Sequence, residues 1–177
     1  MNSAQKNSQP GLAYRSFEDL EVYKAAREFR KEMCKTARGL PDFEKFGLAT
    51  QIRRAAVSFT NNLAEGHGRF HFLDQIKFTL ISRGSLEELM DDLNICLDEN
   101  YVAPGKVEEL KTAAWHLLKL SNGYLRYLRD RKVGASLEIH ETPSSYMDDA
   151  DDESLEWLDD LLEKNPELSQ SLFNSFN

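Results

Sequence analysis

The chain has 177 residues, 41% of them hydrophobic and 29% charged, and carries a formal net charge of -8 at pH 7. That length gives one ordinary domain with an appendage and suffices to bury a real core. No run of 18 apolar residues occurs, and the first fifteen residues lack the apolar centre of a signal peptide, so a soluble, cytoplasmic protein with no membrane partner is expected.

The charge is unevenly placed. Residues 14–133 hold 20 Lys and Arg against 18 Asp and Glu, whereas 134–177 hold 1 against 12. The acidity belongs to the tail, and what the body binds depends on how its basic side chains are arranged. Cys34 and Cys96 are widely spaced within helix-like apolar patterns, which predicts buried free thiols rather than a disulfide or a metal site.

A polar leader over 1–13, expected to be disordered, precedes Ser16-Phe17-Glu18-Asp19, a helix start in which the serine hydroxyl accepts a backbone N–H. Val22, Ala26, Phe29, Met33, Thr36 and Leu40 then mark one helix face, stopped by Gly39 and Pro41. Leu48, Ile52, Ala56, Phe59 and Leu63 form a second ladder, which Gly66 and Gly68 are expected to end. A third segment from about Phe70 to Asn100 carries Phe72, Ile76, Leu80, Leu86, Leu89, Leu93 and Cys96, with Glu87, Glu88, Asp91 and Asp92 as an acidic outer face. Arg83-Gly84-Ser85 within it reads as a point of close helix contact, because a mid-helix glycine costs about 1 kcal/mol relative to alanine and packing should offset it. The fourth helix begins at Pro104 and places Val107, Leu110, Ala114, Leu117, Ser121, Tyr124 and Leu128 in an unbroken alternation of threes and fours.

Four amphipathic helices joined by short connections predict an all-α, antiparallel up-down four-helix bundle over residues 14–132. An acidic linker over 133–152 leads to a short amphipathic helix or tail over 153–177. Too small to fold alone, that last piece should dock on its own bundle, a neighbouring subunit or a partner.

"FEDLEVYKAAREF", "GLATQIRRAAVSFTNNLAEGHGR" and "FTLISRGSLEELMDDL" together resemble the bacterial proteins encoded in intervening sequences of 23S rRNA genes. That family includes the Avd-like accessory variability determinant of diversity-generating retroelements. The resemblance covers about residues 14–131. It implies a helical bundle that assembles into a homopentamer and, by likeness to the retroelement members, binds a reverse transcriptase and nucleic acid, RNA or DNA, through a basic surface. Two features depart from the family pattern: Thr60 stands where a proline is usual in the second helix, and the acidic extension has no counterpart.

For phosphate contact the candidates are Arg53 and Arg54, helped by Arg69, Lys77 and Arg83 if the helices bring them together; the alternative is a solvated face or intersubunit ion pairs. Gln51, Arg54, Ser58, Asn62 and Glu65 form a polar stripe at helical spacing, suited to a hydrogen-bonded network between helices or subunits. Leu155, Trp157, Leu158, Leu161 and Leu162 give the acidic tail apolar anchors for a protein partner. Glu65, His67 and His71 raise a metal reading, which the intervening glycines weaken, and no metal is assigned. The sequence offers no nucleophile with a base, no metal triad and no cofactor loop, so a non-enzymatic binding protein without cofactor is expected.

Overall fold

The computed structural model describes residues 16–133 and 156–176. The leader and linker expected over 1–13 and 133–152 lie outside the described residues, apart from Val133, which closes the fourth helix.

Ser16 opens the structure with a reciprocal cap: its hydroxyl accepts the Glu18 N–H, and the Asp19 carboxylate accepts the Ser16 N–H at 3.0 Å. The cap closes a short 3-10 turn, Phe17–Asp19, and α1 follows as Glu21–Arg38. α2 spans Leu48–His67, α3 Phe72–Asp98 and α4 Pro104–Val133. They pack as an antiparallel up-down bundle in which α1 touches α2 and α4, and α3 touches α2 and α4. Two shorter helices, α5 (Glu156–Lys164) and α6 (Pro166–Phe176), follow the linker. The tail is thus two helices, because Pro166 lacks the N–H needed to continue α5 and suits the first turn of α6.

The apolar ladders account for most of the core. Ile52, Ala56, Phe59, Leu63, Ile76, Leu86, Leu89, Leu93 and Ala114 are fully buried, and Leu110, Leu117, Tyr124 and Leu128 nearly so. In α1 the burial passes from Thr36, which is half-buried, to Ala37. Cys96 is buried and free, with burial pushing its thiol up to about 11, and Cys34 is half-buried and free. At the α3–α4 turn Asn100 takes a left-handed conformation (φ 57°), while Tyr101 donates its N–H to the Cys96 carbonyl at 2.9 Å. The Tyr101 hydroxyl donates to Glu44, whose other carboxylate oxygen accepts the Leu48 N–H at 3.0 Å. One carboxylate therefore ties together both connections at this end of the bundle.

Two local expectations are corrected. Gly66 does not end α2; the helix runs on to His67 and closes at Gly68. Gly66 is buried there because α3 passes so close that an added Cβ would stand 2.9 Å from the Phe78 Cβ and 3.3 Å from the Gln75 carbonyl oxygen. Asp92 does not share the exposed acidic face of α3. It is 3% exposed, and one of its carboxylate oxygens has no hydrogen-bond partner. Burial, and then the charges of Glu88 and Asp91, push its carboxyl up to about 6.

Candidate functional site

The polar stripe of α2 divides when placed in the fold. Ser58 meets Ser85 of α3 at 2.8 Å, and Asn62 donates to the Ser58 carbonyl at 2.8 Å and to its hydroxyl at 3.1 Å. One turn away Ser82 donates to the Phe59 carbonyl at 2.7 Å. Such short side chains bridge two helices only where the backbones lie close, and this contact includes the Arg83-Gly84-Ser85 level of α3. Gln51 and Glu65, at the ends of the stripe, are exposed and take no part. Thr60, at the position where a proline was expected from the resemblance, is buried; its hydroxyl donates to the Val57 carbonyl and accepts Arg30 of α1 at 2.9 Å.

The five candidate basic residues do not converge on one site. The Arg53 guanidinium is held by the Lys45 carbonyl at 3.1 Å and the Thr50 hydroxyl at 3.0 Å, so it fastens the α1–α2 connection, while Arg54 is exposed beside it. Arg69 lies sixteen residues further along the chain, about 24 Å away along the helix direction. Arg83 reaches Glu87 at 3.5 Å, and its Nε is buried without a partner.

Arg69 and Lys77 do come together, across the ring of Phe78. The guanidinium carbon of Arg69 is 4.9 Å from the ring centroid and the ammonium of Lys77 is 5.7 Å from it. Glu65 pairs with Arg69, and the Gln75 side chain donates to the Arg69 carbonyl at 2.7 Å, fixing the α2–α3 connection. Gly66 lets this happen, since its missing side chain brings α3 and Phe78 against α2.

A second group of this kind stands at the end of α4, which packs on α3. Arg131 lies 5.7 Å from the Phe72 ring and 5.4 Å from the Tyr127 ring, and it donates to the Tyr127 hydroxyl at 2.8 Å. Tyr127 stacks on Tyr124 with centroids 6.2 Å apart. Arg126 and Arg129 lie on the same turns of α4, and Phe70 in the connection is 98% exposed. One end of the bundle thus presents cations seated on ring faces, able to meet an anion and a flat apolar group together. The opposite end exposes Phe43 (74%) and Phe46 (87%) among the charged residues Asp42, Lys45, Asp98 and Glu99, with the Lys45 ammonium 5.6 Å from the Phe46 ring.

Arg131, Phe78 and Tyr127 are not among the residues named from the sequence, and Phe70 and Phe72 enter there only as the start of the third segment and a member of its apolar ladder. The signal was the "YLRYLRDRK" run, which alternates aromatic and basic residues but reads equally as an apolar ladder with a solvated face. Among the described residues no three His, Cys, Asp or Glu side chains are grouped to hold a metal ion. No helix there is long and apolar enough to cross a membrane. Of the tail candidates, Leu158, Leu161 and Leu162 are half-buried, while Leu155 and the side chain of Trp157 lie outside the described residues.

The profile of the 23S rRNA-intervening sequence proteins matches residues 18–123, which is more than half of the chain and takes in α1, α2, α3 and most of α4. The chain belongs to the 23S rRNA-intervening sequence protein family. Among solved structures it is similar to a protein of unknown function of the S23 ribosomal protein family from Bacteroides thetaiotaomicron, at 20% identity and a TM-score of 0.56. That match covers 59% of this chain and 95% of the other, so the likeness is one of bundle fold. A comparison with curated proteins gives no match. The family match ends at residue 123, before Tyr124, Tyr127 and Arg131, and the C-terminal helices lie wholly outside it.

Proposed function

We propose that this 23S rRNA-intervening sequence protein is a non-enzymatic, self-associating adaptor that binds nucleic acid at the basic end of its bundle. The observation that carries the reading is the seating of Arg69, Lys77 and Arg131 on the rings of Phe78, Phe72 and Tyr127, beside the exposed Phe70. Phosphates supply the anion that such cations attract, and unstacked bases supply a flat face for the rings. Single-stranded RNA or DNA fits this better than a duplex, whose bases are not free to stack. The resemblance to retroelement accessory proteins makes a reverse transcriptase the protein partner to test.

Replacing Arg69, Lys77 and Arg131 together by glutamine is expected to weaken binding of a labelled single-stranded RNA by on the order of tenfold or more at low salt. Replacing Arg53 and Arg54 should change it little, since Arg53 is spent on the α1–α2 connection. Fluorescence anisotropy titrations decide the matter. Equal losses in the two variants would place the site elsewhere.

Self-association is supported by Phe43, Phe46 and Trp115, which expose large apolar side chains to solvent. The full chain is expected to sediment as an oligomer, a pentamer by resemblance. Aspartate at these three positions should return it to monomer, and a monomeric native chain in analytical ultracentrifugation would contradict the assignment. The alternative is a scaffold that uses its acidic C-terminal helix, through Leu155, Trp157, Leu158, Leu161 and Leu162, for a protein partner with no nucleic-acid role; Leu158, Leu161 and Leu162 are half-buried.

A further inference from the structure

The C-terminal hairpin lies against α3 at the basic end. Helix α6 packs on α3, and Leu168 and Leu172, one turn apart, are each only 8% exposed. Ser169, Gln170 and Asn174 are exposed, so these two leucines supply the described apolar anchor of α6. A cleft between the two parts is walled by Leu73, Asp74 and Lys77 of α3 on one side and by Lys164, Glu167 and Leu168 on the other. Lys77 is therefore both a wall of this cleft and one of the two cations on the Phe78 ring.

Charge distinguishes the hairpin from an ordinary structural brace. Its exposed ionisable groups include Asp159, Asp160, Glu163 and Glu167, with Lys164 held by Asp160 at 2.6 Å. The hairpin thus brings a carboxylate into the cleft with Lys77 and adds a negative field from the adjoining turn of α5. Among the described side chains Leu161 of α5 also packs, partly buried, against the core, and the entropy of ordering helices of 9 and 11 residues opposes this burial and favours release.

We propose that the α5–α6 hairpin is an intramolecular competitor that, docked through Leu168 and Leu172, weakens nucleic-acid binding at the basic end and is displaced when a strand binds. This rests on the reading of that end as a phosphate-binding surface. The tail would act as a threshold, excluding weakly held polyanions and yielding to strands that engage Arg69, Lys77 and Arg131 together.

The test uses the full chain and a labelled 20-nucleotide single-stranded RNA at fixed low salt, with two variants. L168D/L172D undocks α6 while leaving the bundle core unchanged, and D159N/D160N/E163Q/E167Q removes the charge while keeping the leucines. Both are expected to bind about tenfold more tightly than the native chain. Amides of residues 166–176 should be protected from hydrogen exchange in the free native chain and lose that protection when RNA saturates it. The proposal is overturned, with the basic-end reading intact, if native and undocked chains bind equally and both weaken on glutamine replacement of Arg69, Lys77 and Arg131. A gain on neutralisation without one on undocking also overturns it, since general tail charge would then suffice. If no form binds, the basic-end reading and the competitor fall together.

Discussion

Replacing Asp92 by asparagine is expected to stabilise the protein by up to about 3 kcal/mol at pH 7.5 and to have little effect at pH 4. The carboxyl is buried, has an unpartnered oxygen, and is raised from an ordinary 3.8 to about 6, by burial first and then by Glu88 and Asp91. A folded-state value above the unfolded one means that the folded chain holds the proton more tightly. The associated stability is complete below about pH 3.8 and is lost as pH rises through about 6. At pH 7.5 the native chain carries the cost of a buried charge, which asparagine never pays. The figure is a ceiling, because an asparagine amide buried at the same place also needs partners. Denaturant unfolding of both chains at the two pH values, followed by circular dichroism, reads the difference. Parallel midpoints at pH 4 and 7.5 would show that Asp92 does not titrate in this window.

Alanine at Gly66 is expected to destabilise the fold by about 1–3 kcal/mol, although alanine is the better helix former by about 1 kcal/mol. The new methyl would stand 2.9 Å from the Phe78 Cβ and 3.3 Å from the Gln75 carbonyl oxygen, and both belong to the body of α3. Neither is the far end of a flexible side chain, so α2 and α3 must separate. Phe78 carries Arg69 and Lys77 on its ring, so separation disturbs the basic end as well. The thermal midpoint should fall and RNA affinity with it. Unchanged stability would mean that the two helices approach less closely than described.

The bundle was legible because burial in a four-helix bundle follows a period that sequence shows directly. Every residue of the second and fourth ladders is buried, and Pro104 marks the first residue of α4. Asp92 was misplaced because periodicity assigns faces by residue type, and a carboxylate among Glu87, Glu88 and Asp91 reads as solvated until the packing of α3 is known. Gly66 was misread for a related reason: a glycine near a helix end looks like a stop, and only the neighbouring helix reveals it as a contact. The pairing of Ser58 with Ser85 and the gathering of Arg69, Lys77 and Arg131 depend on which helices lie side by side and in what register. Spacing along one helix does not contain that information.

Nucleic-acid binding at the basic end is tested most directly by the salt dependence of single-stranded RNA binding, measured for the native chain and for the chain with Arg69, Lys77 and Arg131 replaced by glutamine. Three lost phosphate contacts should make the slope of log affinity against log salt shallower by about 2. An identical slope in both chains would contradict the assignment of phosphate binding to these three residues.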